Sequence, residues 1–469
     1  MIEDVYEPLA RYRDEFKAKF HDLAVKKFDA LFAASGVDAE ENRKTVAAQR
    51  ELASKAATAA RRKNLILCAM ILFGAGAVVS TYFMCDCQRY GLEPVPFLLG
   101  AAGCLVAVAL FFSPWRRIGT EYKQLKNAAS IKKREAWRQM APLNALYTWD
   151  IPVALIEQTV PRLQFDPFFT AARLDDLKRL FGWSDDFNDG KSMLFAQSGV
   201  INGNPFVFGE YLGMEWGEKT YYGHKDIYWT EYETDQDGRR RAVRRHERLT
   251  ASVTKPYPEY SKNKVLVYGN DAAPDLSFTR RPFGNSDGIL AKLAKWNTKR
   301  DLRKFSRNLE DDSNYTMMAN EEFETLFATK DRNNEVQFRL LFTALAQRQM
   351  LALIKDRTVG YGDDFAFIKA DKINVIAAQH LEDFPLDTDP ERFHNWSLDD
   401  ARASFTDFCD NYFKNLYFAL APLLAIPLYQ QTRTHEEIWK GIVRNAPSSF
   451  WEHESAANYN RYPATLRCL

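Results

Sequence analysis

The sequence predicts an α+β membrane protein, in which an N-terminal helical stalk carries a two-helix transmembrane hairpin. A cytoplasmic antiparallel-sheet domain with flanking helices follows, and then a mostly helical C-terminal tail. Three observations predict this fold class: two long uncharged apolar runs, basic clusters on both sides of them, and strand-like alternation from Ser192 onward. The predicted segments are stalk helices, transmembrane hairpin, return stalk helix, α+β domain and C-terminal extension, at residues 1–63, 64–113, 114–149, 150–395 and 396–469.

The first stalk helix is predicted from apolar residues that recur mostly at steps of three or four, namely Val5, Leu9, Tyr12, Phe16, Phe20, Leu23, Phe28 and Leu31. Gly36 is a typical helix end, and Asp38 can cap a second helix over residues 38–63. A third helix is expected over 118–140, before Pro142. We expect the three helices to pack on one another; the alternative is a coiled coil that binds a membrane or cytoplasmic partner protein.

The two apolar runs, residues 65–84 and 95–112, contain no charged residue. As helices they would be about 30 Å and about 27 Å long, which matches the hydrocarbon core of a bilayer. The short connection 85–93 predicts a tight hairpin. The alternative is a helical hairpin buried inside a large soluble core.

Basic residues predict the orientation of this hairpin. Arg61, Arg62 and Lys63 precede the first run and Arg116 and Arg117 follow the second, whereas the connection carries only Arg89. Positive residues favour the cytoplasmic side, so both termini should be cytoplasmic and the protein a multi-pass protein of the bacterial inner (cytoplasmic) membrane. The six cysteines form no disulfide framework, which fits a reducing compartment, and we interpret the close pair Cys85 and Cys87 as chance.

The α+β domain is predicted from short alternating segments. In 204–216 the residues Phe206, Phe208, Leu212, Met214 and Trp216 fall on one face at period two. Further strands are expected at 227–234, 240–253 and 265–268, with a turn at Asp237 and Gly238, giving an antiparallel sheet of about five strands with one face covered. Residues 320–378 are typical of helix, helix, strand, strand. The apolar run 416–429, broken by two prolines, predicts a buried core helix; a re-entrant membrane contact is the alternative.

One stretch resembles a known family. Residues 320–378 combine an acidic-Phe helix, an Asp-containing turn and a helix with Phe338, Arg339 and Leu340, before a hairpin with alternating aromatic residues. This pattern, with the upstream strands and the paired apolar runs, is similar to the domain-of-unknown-function 3137 family of uncharacterised bacterial membrane-anchored proteins. The chain departs from that pattern in a missing proline near Ala344, the arginine-rich insertion and the long tail. The resemblance implies architecture and no activity.

The strongest charge feature lies in 238–249, where the candidate residues for contact with an anionic surface are Arg239, Arg240, Arg241, Arg244 and Arg245. On an extended strand Arg240, Arg244 and Arg248 share one face, and Arg241 and Arg245 point the other way. Such a strip can bind phosphates of lipid headgroups, while a solvated hairpin whose charges block edge pairing is the simpler interpretation. The formal net charge of +1 gives no global attraction to nucleic acid, which we do not expect as a partner.

Signals for catalysis are weak. The seven histidines are scattered, and no metal-ligand spacing, phosphate-binding loop, dinucleotide fingerprint or nucleophile elbow occurs, so we expect no cofactor and no metal site. The Glu452–His453–Glu454 cluster is interpreted as a surface feature. An aromatic strand pair is expected to pack in the sheet core, with an apolar ligand pocket as the alternative; its residues are Tyr221, Tyr222, Tyr228, Trp229 and Tyr232.

From these observations we expect a membrane-anchored, cytoplasmic-facing scaffold or adaptor whose partner is the lipid bilayer and which also contacts anionic lipid. The alternatives are an enzyme acting on a lipid-linked or membrane-adjacent substrate, with residues that converge only in the fold, and a ligand-sensing module. A deep pocket with ionisable groups of shifted pKa would favour the enzyme, and an aromatic cavity would favour the sensor.

Overall fold

A computed structural model describes residues 7–85, 94–184, 191–234, 240–282, 318–329 and 331–430. The chain forms two compact units: a sheet unit (Met1–Lys19, Val153–Asp387 and Tyr412–Leu469) and a helical unit (Phe20–Pro152 and Thr388–Asn411). Several predictions concern residues outside the described ones: the connection 86–93 with Cys87, the turn at Asp237 and Gly238, Arg239, and the cluster 452–454. The predicted α+β architecture with two long apolar helices and an antiparallel sheet is confirmed.

The described helices are numbered in chain order. They are α1 (Pro8–Arg11), α2 (Lys17–Ser35), α3 (Ala39–Cys85), α4 (Pro94–Asn144), α5 (Ile151–Thr159), α6 (Ala171–Phe181), α7 (Glu321–Phe327), α8 (Glu335–Leu341), α9 (Ala344–Lys355) and α10 (Leu398–Leu424). A π-helical turn, Tyr12–Phe16, joins α1 to α2, and short 3-10 helices occur at Gln379–Leu381, Pro390–Phe393 and Pro427–Gln430. Helix α4 continues through Pro142, where its end was expected.

In the helical unit, α2 buries Phe20 and Phe28 of the predicted apolar stripe together with Ala24, whereas Leu23 and Leu31 of that stripe are half-buried. Phe28 contacts Phe405 with ring centroids 5.7 Å apart. The first half of α10 therefore packs in this unit, although the sequence analysis assigned it to a separate C-terminal extension. Ion pairs of Arg43 with Asp399 and of Arg50 with Asp400 also link α3 to this half of α10.

The sheet has seven strands in the order β1-β2-β3-β4-β7-β6-β5, and all neighbours are antiparallel. They are β1 (Leu163–Phe165), β2 (Lys191–Ile201), β3 (Asn204–Thr234), β4 (Arg240–Gly269), β5 (Ser277–Arg280), β6 (Phe365–Ala370) and β7 (Ile373–Ala378). The prediction of about five strands was therefore wrong in number. The separate strands expected at 240–253 and 265–268 are one strand, because the intervening prolines lie where β4 has an exposed outer edge.

The central strands of the sheet are buried on both faces, rather than on the one face that was expected. On one face, Leu177 and Phe181 of α6 pack with Val207, Val265 and Val375. On the opposite face, Phe278 of β5 contacts Phe338 of α8 and Phe342, which follows α8. The apolar run 416–426 is buried, so the prediction of a core helix there is confirmed.

The segment 320–378 contains three helices before its hairpin, where two were expected. The second of the two predicted helices is divided between α8 and α9. Thr343 separates them, because its side chain caps α9 by accepting a hydrogen bond from the Ala346 amide at 3.5 Å.

Candidate interaction surface

Strands β3 and β4 continue as a two-stranded ribbon far beyond the rest of the sheet. We call residues 214–234 and 240–260 the arm. Among the described residues, β2 pairs with β3 only as far as Gly213, and β7 pairs with β4 only from Leu266 onward. At about 3.3 Å per residue, the arm has a contour length of roughly 65 Å. Nearly all of its side chains are exposed.

The register of the arm sorts its residues into two faces. Even-numbered residues of β3 pair with even-numbered residues of β4, from Met214 opposite Tyr260 to Tyr232 opposite Ala242. Opposed residues of an antiparallel pair share a face. Tyr222 and Tyr228 therefore lie on the even face, and Tyr221 and Trp229 on the odd face.

The expectation that these aromatic residues pack in the sheet core was wrong. Tyr222 is 83% exposed, and Tyr221, Tyr228, Trp229 and Tyr232 are exposed too. They alternate as strand residues do, but no second layer covers them among the described residues. The structure therefore gives the arm two exposed aromatic faces. Exposed aromatic residues at this density are typical of interaction surfaces.

The arginine strip lies near the end of the arm. Arg240 and Arg244 fall on the even face and Arg241 and Arg245 on the odd face, as predicted; Arg239 lies outside the described residues. Arg245 pairs with Glu231 at 2.5 Å and also with Glu233. The Arg244 guanidinium lies 5.6 Å from the ring centre of Tyr228. The opposite strand therefore supplies acidic and aromatic partners for part of the strip.

A second exposed surface belongs to the helical unit. Leu72 of α3 and Leu110 of α4 are each 71% exposed, and large apolar residues along both helices are exposed with them: Leu65, Ile71, Val78, Val79, Leu98, Leu99, Leu105 and Val106. The two helices pack through small residues, with Gly76 facing the Cys104 sulfur. Both helices are long and apolar enough to cross a membrane, by length and composition alone.

The sheet unit also contains a buried polar cluster. Lys369 is 1% exposed, and its Nζ donates to the carbonyl oxygens of Ala272 at 3.1 Å and Asp371 at 2.5 Å. Burial lowers the pKa of Lys369 to about 7, against the opposing pull of Asp371 and Asp271. A narrow pocket without room for a water molecule lies nearby, lined by Ile201, Asn202, Tyr268, Leu420, Leu423, Leu424, Tyr429 and Gln430.

A further titratable cluster joins the loop before β6 to α10. His380 Nδ1 contacts Asp364, and Nε2 lies 3.0 Å from the Asn415 carbonyl oxygen. Tyr361 stacks on His380 with ring centroids 4.1 Å apart. Both imidazole nitrogens are occupied within the protein, so this arrangement fixes the loop and leaves no nitrogen for a substrate.

Among the described residues, no group of three or more His, Cys, Asp or Glu side chains is placed to hold a metal ion. No protein-family model matches the chain, and no curated protein or solved structure matches it either. The resemblance to the domain-of-unknown-function 3137 family therefore stays a prediction, based on the residues quoted for it above.

Proposed function

We propose that the protein is a membrane-anchored scaffold that holds its sheet unit at the cytoplasmic face of the bacterial inner membrane. The observation that carries this proposal is the continuous apolar surface of α3 and α4, formed by Leu65, Leu72, Leu99, Leu110 and their neighbours. An exposed patch of this extent is covered by lipid or by protein. The transfer of each such side chain out of water is favourable by about 1.5–3 kcal/mol of free energy.

The ends of these helices support lipid as the covering medium. Lys63 Nζ lies 5.4 Å from the ring centre of Trp115 and 5.9 Å from that of Tyr122. Aromatic and basic residues are typical of the border between hydrocarbon and water. The adjoining basic residues, Arg61, Arg62, Arg116 and Arg117, favour the cytoplasmic side for both termini.

Membrane fractionation tests the anchor. We expect the full chain to remain in the membrane fraction after alkaline carbonate extraction. A chain with both L72R and L110R should lose membrane association, because an arginine inside a span opposes insertion by up to about 2.5–3.5 kcal/mol, the value at the centre of the span. Both leucines are exposed, so the substitutions remove little packing within the helical unit.

The double variant L72A and L110A is the matched control, and it should stay in the membrane. Full-length chain that is freely soluble without detergent would contradict the anchor. Tags at the two termini, digested from one side of sealed membranes, test the orientation separately. Both tags should be cut only from the cytoplasmic side.

The arm supports a scaffold over the two alternatives. Its exposed aromatic faces suit the binding of another macromolecule. An enzyme finds less support, because Lys369, the buried group whose pKa lies near neutrality, donates to backbone carbonyl oxygens in a closed interior. A sensor finds less support, because the predicted aromatic residues are spread along the outside of the arm.

We also propose, as a separate point, that Arg240, Arg241, Arg244 and Arg245 contact anionic lipid headgroups. In neutral-lipid nanodiscs, the full chain should bind added anionic vesicles more strongly than neutral ones. The triple variant R240A, R241A and R244A should reduce that binding, and the triple variant K219A, K225A and K255A, which also removes three positive charges, is the matched control on the same arm. Vesicle binding that is unchanged in the triple variant would remove the lipid role from these arginines.

A further inference from the structure

Within the part of the chain that the structure describes, both edges of the arm are unpaired along most of its length. Among the described residues, β3 beyond Gly213 has β4 as its only neighbour, and β4 has no second neighbour before Leu266. An isolated two-stranded hairpin is marginally stable in water, and open edges invite another strand. The arm therefore has the form of a sheet that is completed by addition at its edges.

The two strands of the arm carry opposite charge. Residues 214–234 of β3 contain five acidic and two basic residues, a net charge of −3: Glu215, Glu218, Asp226, Glu231, Glu233, Lys219 and Lys225. Residues 240–260 of β4 contain six basic and two acidic residues, a net charge of +4: Arg240, Arg241, Arg244, Arg245, Arg248, Lys255, Glu247 and Glu259. One strand of the arm is thus acidic and the other basic, although Arg245 and Arg248 of β4 already pair with Glu231, Glu233 and Asp226 of β3 within the same arm.

Two prolines reveal which backbone groups point outward. Pro256 and Pro258 lie opposite Glu218 and Trp216, and the ladder continues on both sides of them. Proline has no N–H to donate to β3, so the backbone nitrogen atoms of these two prolines must point away from β3. The register is unbroken, so the even-numbered residues of both strands direct their N–H groups to the outer edges. The hydroxyl groups of Thr220 and Thr254, which lie 2.9 Å apart, fit such a pair.

The same prolines limit where a strand can add. On β4 the outer edge lacks donors at Pro256 and Pro258, next to the base of the arm. Residues 240–254 of β4 and 214–234 of β3 contain no proline. The outer edge of β3 can therefore accept a strand along the whole arm, whereas that of β4 can do so only over 240–254, towards the far end, where the arginine strip is found.

We propose that the arms of neighbouring copies of this chain join edge to edge, with β3 of one copy beside β4 of the next. Pairing like edges would oppose −3 with −3 or +4 with +4, whereas pairing unlike edges opposes −3 with +4. Like charges on directly adjacent strands are destabilising, and opposite charges are stabilising. Electrostatics thus selects the head-to-tail contact over a symmetric one.

The geometry of this contact has a consequence for assembly. With antiparallel pairing throughout, β4 of the second copy runs parallel to β4 of the first, so both arms point the same way. A head-to-tail contact continues into a ring or a row. The even faces would then carry rows of tyrosine from successive copies, including Tyr222, Tyr228 and Tyr232. This inference rests on the proposed scaffold role and names the partner of the arm.

Disulfide crosslinking between differently tagged copies tests the contact. One copy carries T220C, H224C or T230C on β3, and the other carries A242C, T250C or S252C on β4; all six lie on the even face. Oxidised membranes that contain both copies should yield mixed dimers at one register at least. Each variant alone should stay at the level of the wild type, whose own six cysteines set the background.

Proline substitution gives an independent measurement. The Thr230 N–H is directed to the open edge, so T230P should keep the β3–β4 ladder while removing a donor that the next copy would use. We expect T230P to reduce crosslinking of a separate pair, such as T220C with S252C, at least tenfold, and T230A to leave it unchanged. Resistance of the arm to protease checks that T230P still forms the ribbon.

Two results would overturn the inference. One is dimers that form mainly between identical β3 positions or identical β4 positions, which would show a symmetric contact. The other is no crosslink above the wild-type background at any of the nine combinations, which would leave the arm to a different partner. Carbonate extraction of the same samples distinguishes failure of this inference from failure of the proposed anchor. Loss of crosslinking with retained membrane association counts against the contact between arms, and loss of membrane association with retained crosslinking counts against the anchor.

Discussion

Strands β3 and β4 pass through two environments within one continuous ladder. In the base, which we define as residues 204–213 of β3 and 261–269 of β4, Phe206, Phe208 and Leu266 are buried, and β2 and β7 pair with the two strands. In the arm, the same two strands expose Trp216, Tyr222 and most other side chains. Both parts have strand register and aromatic residues at period two. A period-two pattern of residues thus predicts that a segment is a strand, whereas the burial of its side chains depends on which other strands and helices pack beside it.

The largest difference should appear when a large side chain is truncated in each region. F208A should destabilise the sheet unit by about 3–5 kcal/mol, because Phe208 is 1% exposed and its loss leaves a cavity. Y222A should change stability by less than about 0.5 kcal/mol. Thermal unfolding of the full chain in detergent, followed by circular dichroism, measures both. Equal effects would mean that the arm is buried in the protein studied.

The buried side chain of Lys369 should have the second-largest effect on stability. The folded pKa of Lys369 lies near 7 and the unfolded value near 10.5, so the unfolded chain binds the additional proton between these pH values. The contribution of Lys369 to stability should therefore rise from pH 7 to about pH 10. K369M removes this pH-dependent contribution together with the donor to the Ala272 and Asp371 carbonyl oxygens, so the stability of K369M relative to wild type should be highest near pH 7.

The measurement is the difference in unfolding free energy between K369M and wild type as a function of pH, with K219M on the exposed arm as control. That difference should shrink as pH rises, while K219M should show no comparable trend. A pH-independent difference for K369M would contradict the lowered pKa.

A matched pair of glycines compares backbone packing in the two regions. A Cβ on Gly199, in β2 beside the base, would lie 2.3 Å from the Gln164 carbonyl oxygen and 2.6 Å from the Phe206 ring. G199A should therefore cost about 1–3 kcal/mol. A Cβ on Gly223, in the arm, meets nothing within 4 Å, so G223A should be neutral or stabilise by about 0.5 kcal/mol. The two variants in the same unfolding assay check the difference.

The smallest effect belongs to an ion pair within the arm. R245A removes the contacts with Glu231 and Glu233, and because all three side chains are about half exposed, it should cost less than about 1 kcal/mol. The cost should fall as salt is added, since exposed pairs are screened. Protease sensitivity of the arm at low and high salt measures it. A cost that does not depend on salt would indicate that packing, not charge, holds Arg245.

The sequence alone was sufficient to predict the features that depend on residues close together in the chain. The uncharged runs 65–84 and 95–112 lie in two long helices, the buried face of α2 follows its apolar spacing, and the two faces of the arginine strip follow period two. These patterns are local, because helix and strand geometry fix which side chains share a face.

The tertiary structure alone decided which faces are covered. The same alternation buries Phe208 and exposes Tyr222, because β2 ends its pairing at Gly213 and no local signal marks that point. The lowered pKa of Lys369 likewise follows from its burial, and its Nζ donates to the carbonyl oxygen of Ala272, which lies 97 residues earlier in the chain. Burial is a property of contacts between distant segments, and it therefore lies beyond what spacing and composition encode.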